Sequence, residues 1–399
     1  LDDLDTPCLV LDLDRFTRNC ERMKARAAAA GVRLRPHLKT LKSVDAARVA
    51  MDGSRSLTVS TLKEAEHFAQ HGFEDILWAV CLPPGKAAAA ARVHAGLVGL
   101  EGREGPVGIH GAADGAGEPP AAGLSALVDS LDSARAVLAA LRAGGGRLGL
   151  WIEVDCGEHR TGMLPEDPAL LPLAQLLVDS PQVDFRGILT HAGHSYRCTT
   201  IDQIQAVARQ ERDAAMQAAQ RLREAGLPCP AVSAGSTPTA VHGTDWTGVT
   251  ELRPGVYMVG DLFQAHKHSL GTEDLALTVL ASVISTHPDR CFIDAGGLAL
   301  SKDRALRGLP DDPGFGQVLS VGGEPLHLRV DDVHQEHGEV RLDPGAVKAR
   351  AGAGAGLTLG ARVRVLTNHA CMTAAAHDRY HVVRGTEVVA VWPRINGWR

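Results

Sequence analysis

A lysine in a short apolar segment is the first candidate for chemistry. Residues 32–39 predict a β-strand, and because side chains alternate between the faces of a strand, Arg35, His37 and Lys39 share one face. If that face lines a barrel, a buried ammonium group must find a partner, shift its pKa or react, for example by forming a Schiff base with an aldehyde. Lys42 lies beyond the strand, nearer to solvent. A basic surface edge explains the same segment equally well.

Two neighbouring turns are candidates for binding a phosphate group. Residues 235–239, with the sequence GSTPT, follow an apolar strand and open a short helix, so backbone N–H groups and hydroxyls gather at a helix N-terminus. Residues 253–257, with the sequence RPGVY, come one strand later, and barrels commonly hold phosphate between adjacent strand ends. An ordinary N-capped turn between a strand and a helix also explains the first of them.

A histidine and a cysteine separated by one residue form a candidate metal site. His369 and Cys371 follow an apolar strand, and if the strand continues through them, both side chains point the same way. An imidazole nitrogen and a thiolate sulfur favour zinc, and two protein ligands leave positions open for a substrate oxygen. Glu336 and His337 are candidates for supporting or acid–base groups. The alternatives are a buried histidine beside a buried cysteine and, for Glu336 and His337, an ordinary turn.

The composition excludes several classes of function. The chain has 399 residues and a formal charge of −6, from 41 basic and 47 acidic residues, with no basic tract, so neither nucleic acid nor an anionic membrane is expected as a partner. No apolar run reaches the length of a membrane-spanning helix, and the N-terminus lacks a signal-peptide pattern. We therefore expect a cytoplasmic protein with a small-molecule partner. The eight cysteines are spread singly, which argues against a disulfide framework.

The order of the predicted elements indicates the fold class. Eight apolar runs alternate with helical segments, which predicts an α/β protein with a (β/α)8 TIM-like barrel and an active site at the carboxyl ends of the strands. The predicted strands are residues 32–39, 56–60, 75–80, 124–128, 148–154, 185–191, 230–234 and 249–252. Asp14 is expected to cap the first helix. His191 is one of several polar residues at predicted strand ends.

A change of sequence pattern near Leu275 predicts a second domain. Alternating segments without helices predict an all-β domain, with strands at residues 277–284, 291–294, 326–330, 362–366 and 387–392. The predicted domain limits are residues 12–261 for the barrel and residues 1–11 with 262–399 for the β domain. Two glycine-rich segments are expected to be a surface insertion, at residues 99–123, and a loop, at residues 349–360.

Motifs along nearly the whole chain resemble those of a known family. The segments are DTPCLVLDLDR, RPHLKTLKS, TVSTLKEAEHF, GILTHAGHSY, GSTPTA, RPGVYM, FIDAG, QEHG and LTNHAC. Together they are similar to the D-serine dehydratase / D-threonine aldolase family of fold-type III pyridoxal-phosphate enzymes, which are relatives of alanine racemase. The resemblance implies a barrel that binds pyridoxal 5′-phosphate, a divalent metal in the C-terminal domain, and a homodimer.

The resemblance also implies roles for individual residues. Lys39 matches the Schiff-base lysine, and His369 and Cys371 match the metal ligands, so these three are predicted to be catalytic. Arg253 matches the position that faces the pyridine nitrogen in alanine racemase, and Tyr257 is the alternative for that position. The other residues expected around the cofactor or the substrate are His37, Arg160, Tyr196, Gly235, Ser236, Thr237, Gly255 and Val256.

The implied reaction is the dehydration of a D-3-hydroxy amino acid, such as D-threo-3-hydroxyaspartate or D-serine, to a 2-oxo acid and ammonia. The His and Cys donors favour zinc, with manganese and magnesium as alternatives. The competing interpretation is cleavage to glycine and an aldehyde by a D-threonine aldolase. In that branch of the family the metal pair tends to be His with Asp, so Cys371 favours the dehydratase. A non-catalytic carrier of pyridoxal phosphate is disfavoured because such carriers resemble the barrel alone.

Overall fold

The computed structural model describes the chain except for a few short gaps and two longer segments. The described residues are 1–51, 53–99, 122–304, 306–308, 312–342 and 357–398. They form two compact units, a barrel unit of Glu21–Lys39, Ala47–Gly255 and the stretch from Gly397, and a β unit of Leu1–Cys20, Thr40–Ala46 and Val256–Asn396. The predicted insertion at residues 99–123 and the predicted loop at residues 349–360 lie largely outside the described residues.

The barrel unit is built on a parallel eight-stranded sheet in the order β2-β9-β8-β7-β6-β5-β4-β3. Its strands are β2 (Arg33–Leu34), β3 (Ser56–Val59), β4 (Asp75–Cys81), β5 (Gly123–Val128), β6 (Leu148–Val154), β7 (Val183–Thr190), β8 (Ala231–Ala234) and β9 (Glu251–Leu252). The two ends of the sheet meet where Leu38 N donates to Thr58 O at 2.8 Å and Thr58 N donates to Pro36 O at 2.9 Å. The predicted barrel and its eight strands are confirmed.

The strand that precedes the lysine is shorter than predicted. It covers only Arg33–Leu34 rather than residues 32–39. Pro36 has no N–H group to donate to a ladder, so regular pairing stops there. Beyond this point the chain makes an isolated bridge at His37, whose N–H donates to Pro254 O at 2.9 Å. The side-chain alternation expected through Lys39 therefore does not hold.

Helices follow most of the barrel strands, and several of them begin at a Ser or Thr side chain that caps the first turn. They are α1 (Leu13–Ala29), α2 (Val44–Met51), α3 (Leu62–Gln70), α4 (Ala87–Val98), α5 (Leu131–Gly144), α6 (Leu170–Val178), α7 (Ile201–Glu224) and α8 (Thr237–His242). The cap of α1 is Asp12, whose Oδ1 accepts a hydrogen bond from Arg15 N at 2.9 Å, and not Asp14 as predicted. Within the described ranges, no helix is both long and apolar enough to cross a membrane.

The β unit contains a nine-stranded sheet in the order β11-β14-β13-β12-β15-β10-β1-β16-β17. Its strands are β1 (Cys8–Asp12), β10 (Leu277–Thr286), β11 (Arg290–Ile293), β12 (Gln317–Leu319), β13 (Pro325–Val333), β14 (Gly338–Arg341), β15 (Arg362–Leu366), β16 (Arg379–Arg384) and β17 (Glu387–Pro393). The five predicted strands are confirmed, whereas β12, β14 and β16 were not predicted, and β1 near the start of the chain is the ninth strand of the sheet. Short helices α9 (Leu262–His266), α10 (Gly297–Leu300) and α11 (Ala370–Ala375) also occur, so the expectation of a helix-free domain is wrong.

Candidate active site

The barrel interior contains an ion-pair network whose acidic partners were not predicted. Arg35 is only 3% exposed. Its Nε lies 2.9 Å from Glu251 Oε2, and its Nη2 lies 2.6 Å from Asp75 Oδ2. Ser233 Oγ donates to Glu251 Oε1 at 2.6 Å. A buried guanidinium that already has two carboxylate partners is compensated within the protein, so Arg35 supports the barrel rather than a ligand.

Lys39, the predicted Schiff-base residue, is exposed in this structure. The expectation of a buried ammonium group is therefore wrong, because the regular strand ends at Leu34 and the alternation that would turn Lys39 inward ends with it. The amide N–H of Lys39 donates to His37 Nδ1 at 3.4 Å, which fits a neutral His37 imidazole. An exposed amine is accessible to an aldehyde, so the predicted chemistry does not depend on burial.

Positive charge gathers around two histidines of the barrel unit, His37 and His191. Burial lowers the pKa of His37 well below its ordinary value, and the charges of Lys39 and Arg253 lower it further. Burial also lowers the pKa of His191, and the charges of Lys39, Arg160 and Arg253 add to the effect. Both imidazoles are therefore neutral near pH 7. The sequence identifies His191 only as a strand-end residue, and its charged neighbours come from separate strand ends.

The predicted phosphate turn opens helix α8. Gly235 has a φ angle of 101°, in the left-handed region that favours glycine. Ser236 Oγ accepts a hydrogen bond from Thr239 N at 3.3 Å and caps the helix, so this hydroxyl is already used by the chain. Thr237 is 1% exposed, and its hydroxyl has no hydrogen-bond partner among the described residues. A buried, unpaired hydroxyl at a helix N-terminus fits a phosphate group.

A buried carboxylate supports this turn and was not predicted. Glu211, on α7, accepts hydrogen bonds from Gly235 N at 3.0 Å and from Ala192 N at 2.9 Å. Burial raises the pKa of Glu211, and these hydrogen bonds act in the opposite direction. An acidic residue within an amphipathic helix is usually solvated, so the sequence pattern alone gives no signal for this role.

Arg160 and Tyr196 lie on loops of the barrel unit. Arg160 is exposed in the segment after β6, and Tyr196 is half-buried in a 3-10 turn, Gly193–Arg197. The neighbouring Ser195 Oγ lies 2.9 Å from Ser236 Oγ, so this turn contacts the phosphate turn. Tyr196 directly follows the residue that makes this contact.

The second predicted turn follows β9. Arg253 is 5% exposed, and its Nη1 and Nη2 donate to Ser233 Oγ and Thr190 O. Burial lowers the pKa of Arg253 to about 10. A Cβ atom at Gly255 would lie 2.7 Å from His37 O, so a larger residue does not fit there. This close approach explains why the turn contains glycine.

Val256 and Tyr257, which continue this turn along the chain, are counted in the β unit. Both are buried. The Tyr257 hydroxyl has no hydrogen-bond partner among the residues that the structure describes, and burial raises its pKa well above the ordinary value. A neutral, unpaired phenol is a group that a ligand could satisfy.

His369 and Cys371 lie side by side in the β unit, but not on a strand as predicted. β15 ends at Leu366, His369 precedes α11, and Cys371 lies in the first turn of that helix. Asp261 Oδ2 accepts a hydrogen bond from Ala370 N at 2.9 Å, which stabilises the helix start and ends the extended chain. Cys371 is close enough to the His369 imidazole to raise its pKa. A helical turn, rather than strand alternation, brings the pair together.

His369 also pairs with a carboxylate. Its Nδ1 lies 2.6 Å from Asp303 Oδ2. Burial lowers the pKa of His369, but the hydrogen bond and charge of Cys371, the charge of Asp261 and the hydrogen bond to Asp303 outweigh burial and raise it to about 9. No group of three or more His, Cys, Asp or Glu side chains within the described residues is arranged to hold a metal ion. The imidazole of His369 and the thiol of Cys371 are nevertheless donors that fit zinc.

The residues that surround this pair were missed by the sequence analysis. They include Asp261, Asp303 and Thr40, whose Oγ1 lies 3.0 Å from Cys371 Sγ. They are distant in sequence, so no spacing pattern could indicate them. Glu336 and His337 instead occupy the turn between β13 and β14, where His334 N donates to His337 O at 2.8 Å, as an ordinary turn would.

Two sequence families match the chain. The family described as "Alanine racemase, N-terminal domain" matches residues 11–262, and the family described as "Putative serine dehydratase domain" matches residues 276–383. D-threo-3-hydroxyaspartate dehydratase from Delftia sp. (strain HT23) is 41% identical over 400 residues, which cover 99% of this chain and 98% of that protein. A D-threonine aldolase from Arthrobacter sp. is 32% identical over 394 residues, which cover 98% of this chain and 92% of that protein.

Solved structures are also similar. A histidine-to-alanine mutant of D-threo-3-hydroxyaspartate dehydratase has a TM-score of 0.86 at 39% identity and covers 100% of this chain and 96% of its own. A cysteine-to-alanine mutant of that enzyme, in the metal-free form, has a TM-score of 0.87 at 38% identity, with coverage of 100% and 99%. The two mutated positions are two residues apart, as are His369 and Cys371. By sequence and by fold, the chain belongs to the D-serine dehydratase / D-threonine aldolase family, whose N-terminal domain is alanine racemase-like.

Proposed function

We propose that this protein is a lyase that uses pyridoxal phosphate and a divalent metal to dehydrate a D-3-hydroxy amino acid. The substrate class includes D-threo-3-hydroxyaspartate and D-serine, and the products are a 2-oxo acid and ammonia. The observation that carries the proposal is the pair of metal donors at the start of α11, where His369 Nδ1 lies 2.6 Å from Asp303 Oδ2 and Cys371 Sγ lies 3.0 Å from Thr40 Oγ1. The comparison with the related dehydratase supports the proposal, because a histidine and a cysteine with the same spacing have been mutated in that enzyme. The structure of its cysteine mutant was solved in the metal-free form.

The cofactor would be held by residues of both turns and by Lys39. The Thr237 hydroxyl would bind the phosphate, together with Gly235, Ser236, Gly255 and Val256. Arg253 or Tyr257 would face the pyridine nitrogen, and His37, Arg160 and Tyr196 would lie near the ring or the substrate. When bound, pyridoxal phosphate supplies an electron sink for the electron pair that remains when a Cα–H bond of the substrate is broken.

The chain supplies the base for this step. We assign removal of the α-proton to Nζ of Lys39. The α-proton and the β-hydroxyl leave as water, and a second water molecule then replaces the amino group. One D-3-hydroxy amino acid thus gives one 2-oxo acid and one ammonia. The neutral His37 and His191 add no further positive charge beside Lys39.

The role of the metal follows from the poor leaving ability of a hydroxyl group. His369 and Cys371 would hold a divalent ion, which supplies a Lewis acid for the departing oxygen. Zinc fits the nitrogen and sulfur donors better than manganese or magnesium, which prefer oxygen. We therefore propose zinc, with the other two ions as alternatives.

A second candidate function is cleavage of a D-3-hydroxy amino acid to glycine and an aldehyde. The observation in its favour is the D-threonine aldolase that is 32% identical to this chain. Retro-aldol cleavage needs a base that removes the proton of the β-hydroxyl, whereas dehydration needs that oxygen to leave. The sulfur donor of Cys371 differs from the aspartate that aldolases of this family tend to use, and this difference favours the dehydratase.

Reconstitution tests the proposed cofactor requirement. The protein would be stripped of metal with a chelator and of pyridoxal phosphate with hydroxylamine, and each would then be added back alone and together. We expect ammonia release from D-threo-3-hydroxyaspartate or D-serine only when both are present. Full ammonia release with pyridoxal phosphate alone would remove the metal from the proposal.

Three further predictions accompany the proposed activity. The family resemblance supports a homodimer, for which light scattering should give about twice the chain mass of 42.1 kDa. We also propose the domain limits 12–261 for the barrel and 1–11 with 262–399 for the β domain. A cytoplasmic location stays a prediction that cell fractionation can check.

A further inference from the structure

We propose that Asp303 is a positioning residue for His369, and that it selects the ring nitrogen that binds the metal. The inference rests on the proposed function, because it assumes that His369 is a metal ligand. Its basis is the 2.6 Å distance between Asp303 Oδ2 and His369 Nδ1. None of the sequence motifs that carry the family resemblance includes Asp303.

The chemistry of imidazole gives this contact a consequence. A neutral imidazole carries one N–H group, and a carboxylate next to one ring nitrogen fixes the proton there as a hydrogen-bond donor. With the proton held on Nδ1 by Asp303, Nε2 is the nitrogen with a free electron pair. A carboxylate in this position also raises the basicity of the metal-binding nitrogen.

The loop that carries Asp303 is fixed to the segment that carries His369. Asn368, the residue before His369, donates from Nδ2 to Asp303 O at 3.0 Å and to Gly314 O at 2.8 Å. Asp303 N donates to Ser301 Oγ at 3.3 Å. The main-chain carbonyl of Asp303 is therefore hydrogen-bonded to Asn368, 65 positions away in sequence. Its side chain is hydrogen-bonded to His369, 66 positions away. This double attachment holds the carboxylate in a defined orientation toward the ring.

Other charges near the pair have separate partners. Asp261 Oδ2 accepts from Ala370 N, on the helix that carries Cys371. The guanidinium of Arg304, the next residue after Asp303, pairs with Asp312 Oδ2 at 2.5 Å. Within the described residues, Asp303 is thus the carboxylate that contacts the His369 ring nitrogen directly.

The competing explanation is that Asp303 only anchors its loop. Measurement of the metal affinity distinguishes this role from the positioning of His369. A carboxylate that only anchors the loop would affect thermal stability but not the metal affinity of the folded protein. A carboxylate that positions His369 affects the metal affinity and determines which ring nitrogen binds the metal. Asp303→Asn keeps a hydrogen-bond acceptor and removes the charge, whereas Asp303→Ala removes both. Asp378→Asn is the control, because Asp378 is exposed and pairs with Arg379 Nη2 at 2.7 Å in the same unit.

The experiment is titration of zinc into protein that has been loaded with pyridoxal phosphate and stripped of metal. We expect zinc affinity to fall by about 10- to 100-fold in Asp303→Ala, which is typical for the loss of such a partner, and by less in Asp303→Asn. Asp378→Asn should bind zinc like the wild type. NMR of ¹⁵N-labelled histidine in the zinc-loaded protein should show a protonated Nδ1 at His369, and faster exchange of this proton with water should broaden its signal beyond detection in Asp303→Ala.

His369→Ala separates failure of this inference from failure of the proposed function. If His369→Ala binds zinc as tightly as the wild type, then His369 is not a ligand, and both are overturned. If His369→Ala loses zinc while both Asp303 variants retain wild-type affinity and the Nδ1–H signal, only the positioning role is overturned. Should Asp303→Ala fail to fold in a thermal unfolding check, the comparison rests on Asp303→Asn.

Discussion

Thr40 Oγ1 lies 3.0 Å from Cys371 Sγ, although 331 positions separate the two residues in sequence. Thr40 is fully buried. Its carbonyl oxygen accepts hydrogen bonds from Tyr380 Oη at 3.3 Å and from Arg394 Nη2 at 3.1 Å. Thr40 therefore contacts the proposed sulfur ligand through its side chain and is held in place by hydrogen bonds to its main chain. It directly follows Lys39 in the chain.

The first prediction concerns the Thr40 hydroxyl. A metal-binding sulfur is a thiolate and has no proton, so Thr40 must be the donor. Thr40→Val keeps the shape and removes this donor, and we expect it to weaken zinc binding about tenfold, since a hydrogen bond to a charged group contributes about 1.5–3 kcal/mol. Thr40→Ser, which retains the hydroxyl, should bind zinc nearly as tightly as the wild type. Calorimetric zinc titration measures both, and equal affinities for the valine and serine variants would refute the role.

The second prediction separates the two lysines of the segment. Lys39→Ala should abolish dehydration and the absorbance band of protein-bound pyridoxal phosphate, because it removes the proposed Schiff-base amine. Lys42→Ala is the matched control and should retain the band. Absorbance spectra of both variants, recorded after dialysis against pyridoxal phosphate, provide the comparison. A band that persists in Lys39→Ala and disappears in Lys42→Ala would move the assignment to Lys42.

The third prediction concerns the sulfur ligand. Cys371→Ala should lower the rate of dehydration by at least about 100-fold, because a Lewis acid contributes several kcal/mol to such a step. The cofactor spectrum should be unchanged, since the variant leaves both cofactor turns intact. Cys229→Ala removes another partly buried thiol and should keep the activity. Unchanged turnover in Cys371→Ala would exclude the proposed metal role.

The fourth prediction is a pH dependence of stability. Burial and nearby positive charges hold the pKa values of His37 and His191 well below the ordinary value of 6.5. In the unfolded chain both histidines take up protons as the pH falls below 6.5, while in the folded chain they do not. At these two positions the unfolded state then binds more protons, so the contribution of His37 and His191 to stability is greatest above pH 6.5 and decreases below it, by up to about 1.4 kcal/mol per pH unit for each histidine.

This dependence can be measured by thermal unfolding of protein without cofactor and metal between pH 7.5 and 5.5. His191→Gln has no ionisable group at that position. Across this range the melting temperature of the wild type should therefore fall relative to that of His191→Gln. An identical decrease in the wild type and in His191→Gln would contradict a depressed pKa for His191.

Local patterns allowed much of the fold to be predicted. Apolar runs indicated all eight barrel strands, and the turn residues 235–237 lie at the start of a helix as expected. The extent of the lysine strand was wrong because the alternation rule ignores Pro36, which ends regular pairing. The His369–Cys371 spacing indicated a donor pair but not its secondary structure, because the helix start depends on Asp261, which lies 109 positions away.

The supporting residues could not be predicted in the same way. Thr40, Asp303 and Glu211 act through tertiary contacts, and each looks like an ordinary polar residue in its local segment. The exposure of Lys39 likewise depends on where the chain leaves the sheet. Sequence pattern therefore indicated candidate residues for the chemistry, while the structure identified the residues that contact them.

The central claim is that the β-hydroxyl leaves the substrate and the Cα–Cβ bond stays intact. The most direct test is to incubate the protein with pyridoxal phosphate and zinc against D-threo-3-hydroxyaspartate, D-serine and D-threonine, and to quantify all products. We predict a 2-oxo acid and ammonia in equal amounts, with the relative rates identifying the preferred substrate. Glycine together with an aldehyde would contradict the account and establish the aldolase reaction instead.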